Sequence, residues 1–62
     1  MINSLETYAD CGRKTALCRQ RRDESGARSF REYFGRMRAT EKPEDRPAAT
    51  AAYNQAYEIE YQ

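Results

Sequence analysis

The sequence contains no histidine, tryptophan or valine, and only two prolines and three glycines. Without histidine the chain lacks the commonest general base of enzymes and the commonest nitrogen ligand for metals. Gly12, Gly26 and Gly35 stand too far apart to form a glycine-rich phosphate loop. A helical chain of 62 residues also has little room for an enclosed pocket. We therefore expect no enzyme, no catalytic residue, no metal site and no cofactor.

Large aliphatic and phenylalanine residues are equally scarce. The complete set is Ile2, Leu5, Leu17, Phe30, Phe34 and Ile59. This content lies below the roughly 20% that separates ordinary globular chains from disorder-prone ones. The net charge is only +1, however, so charge repulsion does not keep the chain open. We expect a single domain over residues 1–62 that folds but is short of core, and that completes its core with a partner or as a dimer.

No segment is suited to a membrane. No apolar run exceeds three residues, whereas a spanning helix needs about 20. The first residues, Met1 to Glu6, show neither the basic start nor the apolar stretch of a secretory signal. The expected compartment is the cytoplasm.

The apolar pattern predicts an all-α fold, a small three-helix unit with helices over about 4–19, 26–40 and 47–60. The first helix has Leu5, Tyr8 and Cys11 on one face, and Asn3 or Ser4 is the expected N-cap. Leu17 points away from that face.

The second helix has the clearest pattern. Phe30, Tyr33, Phe34 and Met37 follow the i, i+3, i+4, i+7 spacing of a buried stripe. Its start has two interpretations. Either Ser29 and Glu32 form a capping box, or the helix begins earlier, at Asp23 or Ser25.

The third helix follows a charged loop. Residues 41–47 carry five charges and two prolines, which predicts a loop, with Pro47 in the first turn of the next helix. Alanines at 48, 49, 52 and 56 share a face of that helix with Ile59. The last six residues alternate apolar and polar side chains, so a strand or a tail is the alternative to helix there.

Cys11 and Cys18 are seven residues apart. Seven helical residues separate their Cα atoms by about 10 Å, which exceeds the roughly 7 Å limit for a disulfide. We expect the two thiols to be unbridged and packed as small apolar side chains. The alternatives are a reactive thiol activated by nearby basic residues and a zinc site shared between two copies.

Charge is segregated along the chain. Residues 11–40 carry +6, residues 41–62 carry −3 and residues 1–10 carry −2, which predicts a basic end and an acidic end. Arg outnumbers Lys nine to two, and guanidinium groups make bidentate contacts to carboxylate or phosphate. Arg28, Arg31 and Arg38 are expected opposite the apolar stripe of the second helix. With Arg21 and Arg22 they are the predicted basic partner-binding residues, unless the acidic tail neutralises them.

Three tyrosines form a second candidate surface. Tyr53, Tyr57 and Tyr61 recur every four residues, beside the alanine face of the third helix. Tyr is enriched at protein interfaces because it buries a large area and keeps a polar tip. The alternative is that these rings cover the edge of a poor core.

These features favour a non-enzymatic regulatory or inhibitory module that binds a larger protein through its arginine face, its tyrosine stripe or both. The alternative is a nucleic-acid-binding protein in which the first two helices form a helix-turn-helix-like pair. A third hypothesis is a homo-oligomeric structural or metal-bridged dimer. In size and composition, though not in any motif, the chain is similar to small accessory proteins of phages and other mobile elements.

Overall fold

The computed structural model describes residues 1–62 and contains three helices. They are α1 (Leu5–Gln20), α2 (Glu24–Ala39) and α3 (Arg46–Glu60), with one 3₁₀ turn at Pro43–Asp45 before α3. The predicted all-α, three-helix fold is confirmed, and each helix boundary lies within two residues of its predicted position. The last segment is helical through Glu60, so the strand alternative is wrong.

Polar side chains cap the first two helices. The Ser4 hydroxyl accepts the Thr7 N–H at 3.2 Å and begins α1. The Asp23 carboxylate accepts the Gly26 N–H at 2.9 Å and begins α2. The earlier of the two predicted starts of α2 is therefore correct, and the capping box at Ser29 does not form because Ser29 lies inside the helix.

A tight turn joins α1 to α2. The Asp23 N–H donates to the Cys18 carbonyl at 2.7 Å, and the Arg22 N–H donates to the Arg19 carbonyl at 3.0 Å. These two hydrogen bonds form a Schellman motif. In this motif the residue after the C-cap takes a left-handed backbone conformation, which glycine adopts most easily. Here that residue is Arg22, with φ of 60°.

The first two helices run antiparallel along their whole length. Tyr8, near the start of α1, contacts Phe34 and the Met37 carbonyl near the end of α2. At the other end, the Cys18 sulfur lies beside Gly26. Contacts at both ends define an αα-hairpin, whereas a helix-turn-helix pair crosses at about 90–120°.

Helix α1 lies between the other two helices and makes most of the interhelical contacts. It approaches α3 closely at Gly12, where a Cβ atom would overlap the carbonyl oxygen of Tyr53. The molecule is flat as a result, with extents of 33 × 20 × 13 Å. No helix is long and apolar enough to cross a membrane.

The core is built from aromatic, sulfur-containing and small side chains. Its main cluster consists of Tyr8, Cys11, Phe34, Met37, Ala49 and Tyr53. The Phe34 and Tyr53 rings stack with centroids 4.1 Å apart, and Tyr8 meets Phe34 edge-on at 5.8 Å. Stacked and edge-to-face rings of this kind add to the stabilisation from buried area.

All four Leu and Ile side chains lie outside this core. Ile2 is 75% exposed, Ile59 74%, Leu5 48% and Leu17 38%. The outward position predicted for Leu17 is confirmed. The assignment of Leu5 to the buried face of α1 is wrong, because Tyr8, Cys11 and Thr15 turn a different side of the helix toward α2 and α3.

The predicted loop over residues 41–47 is a 3₁₀ turn followed by the start of α3, and one of its side chains is buried. The Glu41 side chain is buried, and its carboxylate accepts hydrogen bonds from the backbone N–H groups of Ile2 and Asn3 at 2.8 and 2.9 Å. The Tyr8 hydroxyl donates to the same carboxylate at 2.6 Å. Glu41 thereby ties the start of the chain to the end of α2.

Candidate protein-binding surface

Several basic side chains are occupied by contacts within the molecule. Arg13 pairs with Glu6 at 2.7 Å, and Lys14 pairs with Asp10 at 3.0 Å. Arg46 donates to the Glu41 carbonyl at 3.2 Å. Arg36 lies over the ring of Tyr33 at 6.0 Å. These four cations therefore have partners in the folded protein.

Four arginines have no such contact. Arg21, Arg22, Arg28 and Arg31 are exposed, and no hydrogen bond, ion pair or aromatic ring engages their guanidinium groups. We refer to these four residues as the free-arginine surface. All four belong to the predicted partner-binding set.

The free-arginine surface is built on a turn and one helix flank. Arg21 and Arg22 occupy the turn before α2, where the Schellman hydrogen bonds fix the backbone. Arg28 and Arg31 are three residues apart on α2, a spacing that places them side by side. None of the four groups forms an ion pair with the acidic tail, since no carboxylate comes within 4.0 Å of them.

Arg38 does not belong to this surface. Its guanidinium lies over the Phe34 ring at 5.8 Å and donates to the Thr50 hydroxyl at 3.2 Å. The expectation that Arg38 projects opposite the apolar stripe is wrong, since it is next to that stripe and bridges α2 to α3. Its contacts with an aromatic ring and a hydroxyl account for its position.

The tyrosine stripe divides between core and surface. Tyr53 is only 7% exposed and donates its hydroxyl proton to Thr15 at 3.1 Å, so it is a core residue rather than a binding residue. Tyr57 is half-buried and Tyr61 is 49% exposed. The rings of Tyr53, Tyr57 and Tyr61 are stacked at centroid distances of 6.4 and 5.5 Å. Only the outer end of this column can meet a partner.

The exposed end of the column adjoins the turn between α1 and α2. Arg19 donates to the Tyr57 hydroxyl at 3.0 Å, and Gln20 donates to the Glu60 carbonyl at 2.6 Å. These contacts place the end of α3 beside the end of α1, two residues before Arg22. Tyr61 and the turn arginines, Arg21 and Arg22, are therefore at the same end of the molecule.

The same contacts change the expected charge distribution. Glu58 and Glu60 are at the end of α3, beside the basic turn. Glu44 and Asp45 precede α3 at the opposite end of the molecule, where the Asp45 carboxylate pairs with the N-terminal amine at 3.7 Å. The predicted acidic end is thus divided in two. Because carboxylates lie near the arginines, the basic end is less uniformly positive than the sequence suggested.

Cys11 and Cys18 are unbridged and buried, at 5% and 4% exposure, as predicted for packed thiols. Burial, together with the nearby Asp10 carboxylate, raises the pKa of the Cys11 thiol, which opposes the thiolate that a reactive cysteine needs. A zinc site shared between two copies would need exposed thiols, so the burial of Cys11 and Cys18 argues against this form of the dimer hypothesis. No three His, Cys, Asp or Glu side chains come together as a metal site.

An open apolar groove lies between α1 and α3, with a volume of 390 Å³. Ala9, Ala52 and Ala56 form its floor, and Leu5 and Ile59 stand on its two sides. The sequence pattern did not predict this groove, because it places Leu5 and Ile59 on the same helix faces as residues that pack inward, such as Cys11 and Ala56. One feature of the sequence does point to the groove: Leu5 on α1 and Ile59 on α3 are large side chains among small residues.

The chain matches no family model, no curated protein and no solved structure.

Proposed function

We propose that this protein is a small non-enzymatic module that binds an acidic patch on a larger protein, and regulates or inhibits it, through the free-arginine surface. The observation that carries the proposal is the difference among the basic residues. Arg13, Lys14, Arg36 and others are occupied within the molecule, whereas the four arginines on the turn and the first half of α2 have no partner. Exposed guanidinium groups without an intramolecular partner are suited to bidentate contacts with carboxylates.

The exposed Tyr61 ring adds an apolar element to this surface. Its inner face stacks on Tyr57, so the ring is held in place before any partner binds. A pre-ordered aromatic side chain loses little conformational entropy on binding, and such residues are frequent energetic anchors at interfaces. Tyr61 beside the arginines supports a surface that recognises protein.

Nucleic acid is the less favoured partner. The αα-hairpin geometry of α1 and α2 argues against a helix-turn-helix pair, since an antiparallel pair does not present α2 as a recognition helix. Glu58 and Glu60 near the basic turn would repel a phosphate backbone, and the net charge is only +1. A carboxylate patch on a protein is small and, unlike a continuous phosphate backbone, can contact the arginines between these acidic groups.

The test is a pull-down with tagged protein at about 0.15 M salt, with and without nuclease. We expect one stoichiometric protein partner that survives nuclease treatment. Arg31→Glu should abolish its recovery, because the reversed charge faces the partner's carboxylates. Lys42→Glu makes the same change in net charge at an exposed position without contacts and should retain the partner.

Two results would contradict the proposal. Equal recovery by the Arg31→Glu variant and the wild type would show that the arginines do not form the binding surface. Recovery that disappears with nuclease would instead assign the surface to nucleic acid, and the binding should then weaken steeply with added salt.

A further inference from the structure

We infer that Arg19 is a positioning residue for the Tyr61 ring, and that the partner has an uncharged apolar slot for this ring beside its acidic patch. The partner is that of the proposed function, on which this inference rests, but the position of Tyr61 can be measured in the chain alone. The arginines near the turn differ in their surroundings. Arg21 and Arg22 are exposed without contacts, whereas Arg19 is half-buried against Tyr57.

Two contacts join the Arg19 guanidinium to Tyr57. One Nη donates to the Tyr57 hydroxyl at 3.0 Å, and the guanidinium carbon lies 5.6 Å from the centroid of the Tyr57 ring. The Arg19 Nε–H is buried and no protein atom accepts its proton, which costs free energy. Because the Arg19 side chain has no other hydrogen bond, the contact with Tyr57 determines its position and in return fixes the Tyr57 ring.

The Tyr57 ring supports the Tyr61 ring. The two rings are stacked with centroids 5.5 Å apart and planes 8° from parallel. The Tyr61 backbone is fixed as well, since its N–H donates to the Tyr57 carbonyl at 2.8 Å and Gln20 donates to the Glu60 carbonyl at 2.6 Å. One face of the Tyr61 ring is therefore covered within the chain, while 49% of the residue stays exposed. A side chain ordered in advance loses less entropy when a partner binds it.

The charges near Tyr61 indicate what its exposed side can meet. Glu58 and Glu60 precede it at the end of α3 and make no ion pair, so they would repel a carboxylate placed against the ring. Arg21 and Arg22, on the turn at the same end, would repel a cation in the same way. An uncharged apolar slot is the surface that both sets of charges allow around an aromatic ring.

The position of the Tyr61 ring is measured by NMR of the purified chain, with circular dichroism to confirm that each variant is helical. In the wild type the ring current of Tyr57 should shift the Tyr61 ring protons upfield. Arg19→Gln, and Tyr57→Phe, which removes only the hydroxyl acceptor, should each return these protons toward the values of an unstacked tyrosine. The control Arg21→Gln changes an arginine without contacts and should leave them in place.

The core provides an internal reference, since the Phe34 ring protons should keep their shifts in all three variants. Unchanged Tyr61 shifts in both Arg19→Gln and Tyr57→Phe would overturn the positioning role of Arg19.

The slot is tested with the protein that the wild-type chain recovers in the pull-down, by measuring its dissociation constant for each variant. Tyr61→Ala should raise this constant at least about tenfold, and Tyr61→Phe, which keeps the ring, by no more than about twofold. Arg19→Gln should weaken binding by the wild-type chain but cause no further loss in the Tyr61→Ala variant, because Arg19 acts through that ring.

The outcomes separate this inference from the proposed function. Losses that add for Arg19→Gln and Tyr61→Ala would show that Arg19 contacts the partner itself, which would overturn the positioning role. An unchanged dissociation constant for Tyr61→Ala, together with loss of binding by Arg31→Glu, would overturn the slot and leave the proposed function standing. An unchanged constant for Arg31→Glu would instead contradict the proposed function.

Discussion

Among the single residues, Glu41 has the most unusual environment. Burial opposes its ionisation, but the hydrogen bonds from Tyr8, Asn3 and Ile2 outweigh that effect and lower the pKa of the carboxyl to about 2. Burial and the same Glu41 contact raise the pKa of the Tyr8 phenol. The ionised carboxylate is therefore the form that holds the N-terminal segment against α2.

The lowered pKa of Glu41 predicts acid sensitivity. Because the folded-state pKa of about 2 is below the ordinary 4.5, the stabilisation is complete above pH 4.5 and is lost as the pH falls toward 2. Glu41→Gln should lower the melting temperature at neutral pH by at least about 5 °C, since an amide presents N–H groups to these donors. It should also flatten the pH dependence of the unfolding midpoint between pH 4.5 and 2.

The control for Glu41 is Glu44→Gln. Glu44 is exposed and has no side-chain contact, so its removal should change the melting temperature by no more than about 2 °C. An unchanged melting temperature for Glu41→Gln would show that the carboxylate does not anchor the N-terminal segment.

Arg22 provides a second prediction for a single residue. Its φ of 60° puts a side chain into the left-handed region, which costs an L-residue about 1–2 kcal/mol. Arg22→Gly should therefore raise the free energy of unfolding by about 0.5–1 kcal/mol, after the greater entropy of an unfolded glycine is subtracted. Urea denaturation would measure it.

The neighbouring position is the control. Arg21 has φ of −91°, so Arg21→Gly relieves no strain and should not stabilise the protein. If the proposed function holds, Arg22→Gly should weaken partner binding while stabilising the fold, because the strained residue contributes one of the free guanidinium groups. Destabilisation by Arg22→Gly would remove the explanation based on strain.

Between elements, the closest approach is the crossing of α1 and α3 at Gly12. A methyl group there would overlap the Tyr53 carbonyl oxygen and lie only 3.0 Å from its carbonyl carbon. Backbone cannot move aside as a flexible side chain can. Gly12→Ala should thus destabilise the protein by about 1–3 kcal/mol, although alanine is the better helix former.

Gly35 offers a matched comparison within α2. Nothing lies within 4 Å of a Cβ built at Gly35. Gly35→Ala should therefore stabilise the protein by about 0.5–1 kcal/mol through helix propensity alone. Opposite signs for the two Gly→Ala substitutions in urea denaturation would support the close approach. Stabilisation by both would contradict it.

For the whole molecule, the central position of α1 explains why the protein is flat and why so much apolar surface stays exposed. Helices α2 and α3 contact α1 far more than each other, so only one side of each is covered. The stacked rings of Phe34 and Tyr53 close the core where α2 and α3 do meet. The outer side of α1 and α3 carries the open groove that Leu5 and Ile59 line.

Much of the fold was predictable from local signals. Helix periodicity, the capping residues Ser4 and Asp23, and Pro47 at the start of α3 determine where helices begin, because each effect acts within one helical turn. The separation of Cys11 from Cys18 excluded a disulfide for the same reason, since helix geometry sets the distance. Residue type and helix position also indicate that Arg21, Arg22, Arg28 and Arg31 are exposed.

Only the tertiary structure decided which of the candidate partner-binding residues are exposed and without an intramolecular contact. Arg38 and Tyr53 have the same side chains as the residues that remain exposed, but Arg38 meets Phe34 and Thr50, and Tyr53 meets Phe34 and Thr15. The burial of Glu41 and the exposure of Leu5 and Ile59 likewise depend on how the helices pack. Contacts between residues far apart in sequence leave no periodic pattern, so sequence determines the helices and packing determines the surface they present.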